Sequence, residues 1–254
     1  GPRVALVDFE PDGEVKLVAA MLYAYTARPE AEIERRVREM TVDERLEVVR
    51  AYVGDRTNRR HRPGRAFERT DYRFDVLADY GAFRDLQRHR MLTVEWQPLS
   101  PRHGYTRPSA VDDAGLGETF DETMARSADL HDALAARFPA QAPYAVALAY
   151  RVRFVLQMNA REAMHLLELR SAPQGHPAYR AVAQQMHRLI AEQAGHRAVA
   201  EAMRFVDHSP EPQLERLAAD AARPFVAVVF GSPDVGDIAA KGPALLLAYG
   251  WTDD

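Results

Sequence analysis

The stretch Gln87-Arg88-His89-Arg90-Met91-Leu92-Thr93-Val94-Glu95 contains three consecutive basic residues. Adjacent cationic side chains repel one another and gain little from packing, so the triplet Arg88 to Arg90 is best stabilised by a bound anion. Arg84 lies four residues before Arg88 on the same face of a predicted helix, residues 81–86, and like charges at that spacing also repel. The pattern favours a phosphate group, and a solvated basic turn at a helix end is the alternative.

A second segment follows about seventy residues later and reads Asn159-Ala160-Arg161-Glu162-Ala163-Met164-His165-Leu166-Leu167-Glu168-Leu169-Arg170. Asn159 with Glu162 three residues on is typical of a capped helix start. The apolar residues that follow at helical spacing place Arg170 beside the apolar face of this helix. His165 lies four residues after Arg161, on the same face.

With these two segments in view, the chain resembles the flavin-dependent thymidylate synthases, or ThyX family, from about residue 4 to about residue 206. The family's signature is an Arg-His-Arg triplet, a Ser, an Asn-Glu pair and a Ser-x-Arg-Tyr ending. An Asn-x-Arg helix that closes in Leu-Arg comes later, with a His soon after. The resemblance implies an α+β fold, a mixed β-sheet flanked by helices, in a flavin-binding domain of residues 1–208. Residues 209–254 would then be a C-terminal extension that packs on this domain or on a partner subunit.

The resemblance also implies a binding site. In that site FAD would be held by Arg88, His89, Arg90, Asn159, Arg161, His165 and His176. The positive end of the Asn159 helix and Arg161 would face the diphosphate of FAD. The nucleotide phosphate would contact Glu95, Ser100 and Arg102, and a redesigned pocket in this segment is the alternative. Three of these residues also have an explanation that needs no ligand. Asn159 would be a helix cap only, His165 a surface histidine and His176 a loop histidine without function.

The reaction that the resemblance implies is the reductive methylation of dUMP to dTMP. NADPH would reduce the flavin, and methylenetetrahydrofolate would supply the methylene group. The flavin carries the hydride chemistry, while the protein supplies position and charge. Arg170 would be the catalytic residue, because an arginine near apolar walls can stabilise negative charge on the uracil carbonyl and so make C5 nucleophilic. Family members are tetramers with sites between subunits, so a homotetramer is expected.

The chain departs from the family's motifs at several positions. Thr93 replaces the Ser, Glu95-Trp96 replaces the Asn-Glu pair, and Ser100-Pro101-Arg102 fits the Ser-x-Arg ending only with two extra residues. The family's His-x-Thr is absent from the basic loop, residues 54–65, where only His61 remains. An Ala-Arg pair that touches substrate in the family is also missing.

A rival hypothesis therefore stays open. In it the chain keeps the fold and the flavin site but has lost or changed the reaction, either as one repeat of a longer protein or as a flavoprotein acting on another nucleotide.

Composition narrows the class of protein. The chain has 254 residues, 47% of them hydrophobic, which suits one domain with a sizeable core and at most an appendage. Its net charge of −4 gives no global basic field, which counts against a third hypothesis, a regulatory or nucleic-acid-binding module. Cysteine is absent, which excludes disulfides, zinc-thiolate sites and thiol nucleophiles and fits a cytoplasmic protein. We predict no metal site.

Two expectations concern membranes and the ends of the chain. No apolar run approaches the roughly 20 residues of a membrane helix, so no membrane partner is expected. The opening Gly1-Pro2, without Met, suggests a protease scar or an internal cut from a longer chain.

Periodicity predicts the secondary structure. Strands are predicted at residues 3–8, 67–74, 150–158 and 225–230, and helices at 14–25, 41–53, 81–86, 119–137, 159–170, 179–194 and 212–222. The helix after Thr41 begins with a capping box, since Glu44 lies three residues on. A loop is predicted at residues 233–242, and a strand or helical turn at 244–249.

Overall fold

The structure is a computed structural model that describes residues 3–209. The elements predicted at 212–222, 225–230, 233–242 and 244–249 lie outside the described residues. Within residues 3–209, none of the helices has the length and apolar composition that crossing a bilayer requires.

A four-stranded sheet forms the centre of the described fold. Its strands are β1 (Val4–Phe9), β2 (Asp71–Asp79), β3 (Thr93–Trp96) and β4 (Arg151–Asn159), in the order β1-β2-β4-β3. The two long central strands pair along their whole length, from Asp71 opposite Asn159 to Asp79 opposite Arg151. All three strand pairs are antiparallel, so the predicted α+β class is confirmed while the sheet in residues 3–209 is antiparallel and not mixed.

Nine α-helices accompany the sheet in the described part of the chain. They are α1 (Gly13–Tyr23), α2 (Glu30–Glu39), α3 (Val42–Val53), α4 (Tyr80–Leu86), α5 (Ser109–Asp113), α6 (Gly117–Ala135), α7 (Ala160–Arg170), α8 (Pro177–Glu192) and α9 (Arg197–Ala202). The helices predicted within residues 3–209 are confirmed to within a few residues at their ends. The capping box of α3 is also present, because Thr41 accepts from Glu44 N and the Glu44 carboxylate accepts from Thr41 N.

Strand β3 and the short helices α5 and α9 are not among the predicted elements, and two further segments also differ from the prediction. The strand expected at residues 67–74 begins instead at Asp71, because Arg65–Arg69 forms a 3-10 helix that buries Phe67. Helix α2 was not predicted. Only Ile33 and Val37 of its residues are buried, and charged residues four apart form ion pairs, such as Arg36 with Glu32.

The core lies on one face of the sheet. Alternate residues of the two central strands are buried there, namely Tyr72, Phe74, Val76, Val152, Phe154, Leu156 and Met158. Helices α7 and α8 contact the sheet. Since β4 ends at Asn159 and α7 begins at Ala160, the strand passes directly into the helix that carries the predicted site residues Arg161, His165 and Arg170. Those residues therefore stand on a rigid element.

Candidate functional site

Strand pairing brings the basic triplet beside α7. Strand β3 begins at Thr93, three residues after Arg90, and Thr93 lies opposite Gln157 of β4. Gln157 is two residues before Asn159, at which β4 ends and α7 follows. Two segments about seventy residues apart in sequence are thus neighbours within one chain.

The buried side chain of His89 joins these two segments. His89 Nδ1 lies 3.1 Å from Glu162 Oε1, and Arg170 Nε donates to His89 Nε2 at 3.1 Å. The His165 ring approaches the His89 ring edge-on, with centroids 5.5 Å apart. One side chain of the triplet therefore contacts three side chains of α7.

Arg170 is a cation that is largely shielded from water. Its side chain is 15% exposed, its Nη1 lies 3.5 Å from Asp85 Oδ1, and its guanidinium lies 5.5 Å from the ring centroid of Tyr179. Burial lowers the pKa of Arg170, Tyr179 opposes this, and the nearby charge of Arg88 adds to it. Because a guanidinium stays protonated in proteins, Arg170 is a fixed positive charge in a partly desolvated place. Such a group is well suited to bind an anion or a polarised carbonyl.

The other arginines near the triplet have protein partners. Arg88 forms an ion pair with Asp85, three residues before it, and Arg84 lies over the Tyr80 ring at 6.0 Å. The repulsion predicted between Arg84 and Arg88 is therefore relieved inside the protein, and repulsion alone no longer argues for a bound anion. Arg88 and Arg90 nevertheless remain exposed on the surface beside His89.

The N-terminus of α7 is capped as predicted. Asn159 Oδ1 accepts from Glu162 N at 2.9 Å. The Glu162 carboxylate is buried and directed to His89. Arg161 contacts a different region, since its Nε donates to the Pro63 carbonyl at 3.1 Å and its Nη1 lies 3.0 Å from Glu68 Oε1. Arg161 thus holds the end of the basic loop while remaining about one third exposed.

The basic loop is anchored to α7 by a buried ion pair. Arg56 Nη1 and Nη2 each lie 2.6 Å from an oxygen of Glu168. Further guanidinium hydrogens of Arg56 are donated to the carbonyls of Arg59 and His61, at 3.1 and 2.8 Å. Nothing in the sequence distinguishes Arg56 from its neighbouring arginines, so this anchor was not predicted.

The anchored loop places positive charge near His165. Burial lowers the pKa of His165, the Glu162 carboxylate opposes this, and the charges of His89, Arg59 and Arg62 reinforce it. The guanidinium groups of Arg59 and Arg62 are therefore close enough to His165 to act on it. Arg170 contacts His89, the other member of the same histidine pair, so arginines from the basic loop and from α7 both lie near these two rings.

His176 and Arg170 both contact the ring of Tyr179. His176 Nδ1 accepts from Ala178 N at 3.2 Å, which caps helix α8. The centroid of the His176 ring is 6.2 Å from that of Tyr179. The Arg170 guanidinium also lies over the Tyr179 ring.

The predicted nucleotide-phosphate residues stand apart from these contacts. Glu95 lies exposed in β3 opposite Val155, while Ser100 and the exposed Arg102 lie at a short 3-10 helix, Pro101–His103. Within residues 3–209, no hydrogen bond or ion pair links these three to His89 or Arg170. Their role stays a prediction.

A separate groove of about 210 Å³ is lined by Asp8, Phe9, Glu10, Asp71, Tyr72, Arg73 and Gln157. Burial raises the pKa of Asp71. With three carboxyl groups against one arginine, this groove is poorly suited to a dinucleotide diphosphate, and it contains none of the predicted site residues.

The sequence profile of the thymidylate synthase complementing protein family, Thy1, matches residues 5–195. The chain belongs to this family. The predicted ThyX relationship is thereby confirmed.

Curated relatives of this chain include a UPF0159 protein of Chlamydia muridarum (strain MoPn / Nigg). It is 37% identical over 220 residues, which cover 87% of this chain and 41% of the relative. UPF0159 protein Ta1429 of Thermoplasma acidophilum is 34% identical over 225 residues, which cover 87% of this chain and 44% of that protein. The chain therefore spans less than half the length of these relatives.

Solved structures share the fold. ThyX from Helicobacter pylori, crystallised with FAD and dUMP, aligns with a TM-score of 0.57 and 15% identity, covering 80% of this chain and 99% of that one. The UMP/dUMP methylase PolB from Streptomyces cacaoi, bound with 5-Br dUMP, aligns with a TM-score of 0.59 and 19% identity, covering 80% and 96%. The predicted ThyX-like fold is confirmed.

Proposed function

We propose that the chain binds FAD and catalyses the reductive methylation of dUMP to dTMP, with NADPH as reductant and methylenetetrahydrofolate as methylene donor. The observation that carries this proposal is the contact of the basic triplet with α7 through His89 and Arg170. It occurs in a chain of the thymidylate synthase complementing protein family, whose fold the H. pylori enzyme with FAD and dUMP shares.

The residues present fit the diphosphate of FAD. Arg88 and Arg90 are exposed on either side of His89, Arg88 lies near Arg170 at the C-terminal end of α7, and the basic loop places further arginines near His165. A helix N-terminus together with guanidinium groups is suited to phosphate oxygens. FAD would be held by Arg88, Arg90, Asn159, Arg161, His165 and His176, with His89 at the centre of the cluster. Bound there, FAD supplies the hydride chemistry of the reaction.

Arg170 acts on the nucleotide. Its guanidinium is a fixed charge in a partly desolvated place, so it can stabilise negative charge on the uracil carbonyl and make C5 more nucleophilic. Glu95, Ser100 and Arg102 bind the nucleotide phosphate. Since no hydrogen bond or ion pair links these three to Arg170 within residues 3–209, we propose that they serve the site of a neighbouring subunit in a homotetramer. Residues 1–208 form the flavin-binding domain, residues 209–254 are an extension, and the protein is cytoplasmic.

A second candidate function is a ThyX-fold protein that binds a flavin or a nucleotide but has lost or changed the synthase reaction. Two observations favour it. The curated relatives are more than twice as long as the matched region, so the matched region corresponds to less than half of each of them. In addition, the exposed Trp96 stands where the family has the Glu of its Asn-Glu pair.

Two measurements on the purified chain separate these functions. The first is the flavin absorbance band after incubation with FAD and removal of unbound cofactor. The second is tritium release from dUMP labelled at C5, in the presence of NADPH and methylenetetrahydrofolate. If the chain retains flavin and releases tritium, the synthase function is supported. If it retains flavin but releases no tritium, the synthase function is contradicted and the second candidate is supported. If the chain retains no flavin, the proposed FAD site is wrong.

A further inference from the structure

The donor and acceptor pattern around His89 fixes its tautomer. An arginine Nε–H can only donate, so His89 Nε2, which faces Arg170 Nε at 3.1 Å, must accept. The ring hydrogen then belongs to Nδ1, which donates to Glu162 Oε1 at 3.1 Å. Both ring nitrogens of His89 are therefore used inside the protein.

Glu162 lies in the first turn of α7 and its carboxylate contacts His89. Its backbone N–H donates to Asn159 Oδ1, which locks the first turn of α7. Its side chain is buried, so its charge is costly without a donor such as His89 Nδ1–H. An ordinary capping box would direct this carboxylate back to the backbone of Asn159, and here it turns to His89 instead.

We infer that Glu162 is a positioning residue, which acts through His89 to set the orientation of the Arg170 guanidinium. The hydrogen-bonded chain from Glu162 through His89 to Arg170 engages Arg170 Nε, and Arg170 Nη1 lies 3.5 Å from Asp85 Oδ1. His89 and Asp85 together therefore set the plane in which the guanidinium meets the nucleotide. His89 is accordingly a link in this chain and makes no hydrogen bond to the flavin. The inference rests on the proposed nucleotide role of Arg170 and refines the role of His89 in the FAD site.

The tautomer of His89 tests the chain of hydrogen bonds without any ligand. Protein labelled with ¹⁵N-histidine is examined by long-range ¹H–¹⁵N correlation spectroscopy, and the His89 signals are assigned by their loss in His89→Asn. We expect a pyrrole-type Nδ1 and a pyridine-type Nε2. After addition of FAD, Nδ1 should still give a pyrrole-type signal and Nε2 a pyridine-type signal. A hydrogen on Nε2, with or without FAD, overturns the inference.

Variants at position 162 test the effect on Arg170. Glu162→Met removes the acceptor while keeping similar volume and a good helix former, and Glu162→Gln keeps an acceptor but removes the charge. Losing a hydrogen bond to a charged group predicts about a tenfold rise in the dUMP dissociation constant for Glu162→Met and a smaller rise for Glu162→Gln. The affinity for FAD should not fall.

Glu118→Gln is the matched control, because Glu118 is also an acidic residue in the first turn of a helix but lies exposed in α6. It should leave both affinities unchanged. Equal losses of FAD and dUMP affinity in Glu162→Met would show that Glu162 has a general structural role and would contradict the inference. If wild-type protein binds no FAD, the proposed function fails, while the tautomer of His89 still decides the inference.

Discussion

Arg56 and Glu168 form a bidentate ion pair in the interior, with both side chains at most 3% exposed and both N–O distances 2.6 Å. The pair joins the basic loop to α7, and Arg56 also donates to the Ala202 carbonyl at 3.2 Å. The Arg56 guanidinium lies 5.1 Å from the ring centroid of Phe205. The position of the proposed FAD site thus depends on one buried contact between residues 112 positions apart.

Removing one partner of this pair should strongly destabilise the protein. Glu168→Gln leaves the Arg56 charge buried without its counter-ion, which typically costs about 3–5 kcal/mol. The free energy of unfolding can be measured by urea titration. Replacing both residues, as in Arg56→Met with Glu168→Leu, should recover much of the loss because no unpaired charge remains.

The exposed ion pair between Arg50 and Glu201 provides the control. Its side chains are 60% and 47% exposed, so Arg50→Gln should cost at most about 1 kcal/mol. If Glu168→Gln and Arg50→Gln lowered the free energy of unfolding by the same amount, the role assigned to the buried pair would be contradicted.

Stability should fall on mild acidification because the pKa values of His187 and His208 are lowered in the folded protein. Burial lowers the pKa of His187, whose Nε2–H donates to the Ala200 carbonyl and whose Nδ1 accepts from His208 Nε2–H, each at 2.9 Å. Arg188 also lowers this pKa, while Glu168 opposes the shift. Burial likewise lowers the pKa of His208.

The sign of the pH effect follows from these shifts. A histidine with a depressed pKa in the folded state binds its proton more readily when unfolded. Its stabilising effect is therefore fully present above the unfolded pKa of about 6.5 and is lost as the pH falls below that value. Each such histidine contributes a slope of at most about 1.4 kcal/mol per pH unit. Urea unfolding of His187→Gln between about pH 7.5 and 5 should show a shallower dependence than wild type, and an unchanged slope would contradict this assignment.

Asn159 is expected to have two separable roles. Asn159→Ala removes the cap of α7 and should cost about 1 kcal/mol of unfolding free energy as well as FAD affinity. Asn159→Asp keeps a side-chain oxygen for Glu162 N and should retain stability, yet its negative charge should repel the FAD diphosphate. Thermal unfolding and FAD titration of both variants test this. If Asn159→Asp binds FAD as well as wild type, Asn159 is a helix cap only.

Much of the fold followed from local sequence patterns. The cap at Asn159 and the capping box at Thr41 were predictable because both depend on residues three apart. The convergence of the triplet with α7 was predictable only through the family's motifs. Alternating residues also located β4, although they misplaced the start of β2 because Phe67 is buried in a 3-10 helix and not in a strand.

The contacts inside the site could not be predicted from sequence. The partners of His89, namely Glu162 and Arg170, depend on the pairing of β3 with β4, which no local pattern encodes. The choice of Arg56 as the buried arginine of its loop likewise depends on the position of Glu168 in the folded chain. Spacing along the sequence gives no signal for such tertiary pairs.

FAD titration of Arg88→Ala against wild type tests most directly the claim that the triplet and α7 bind one dinucleotide. Arg84→Ala serves as the matched control, because Arg84 is an exposed arginine one turn earlier that lies over Tyr80. We predict about one FAD per chain for wild type and for Arg84→Ala, and at least about a tenfold loss of affinity for Arg88→Ala, as expected for a charge-assisted bond to phosphate. Stoichiometric FAD retained by Arg88→Ala with wild-type affinity would contradict the account.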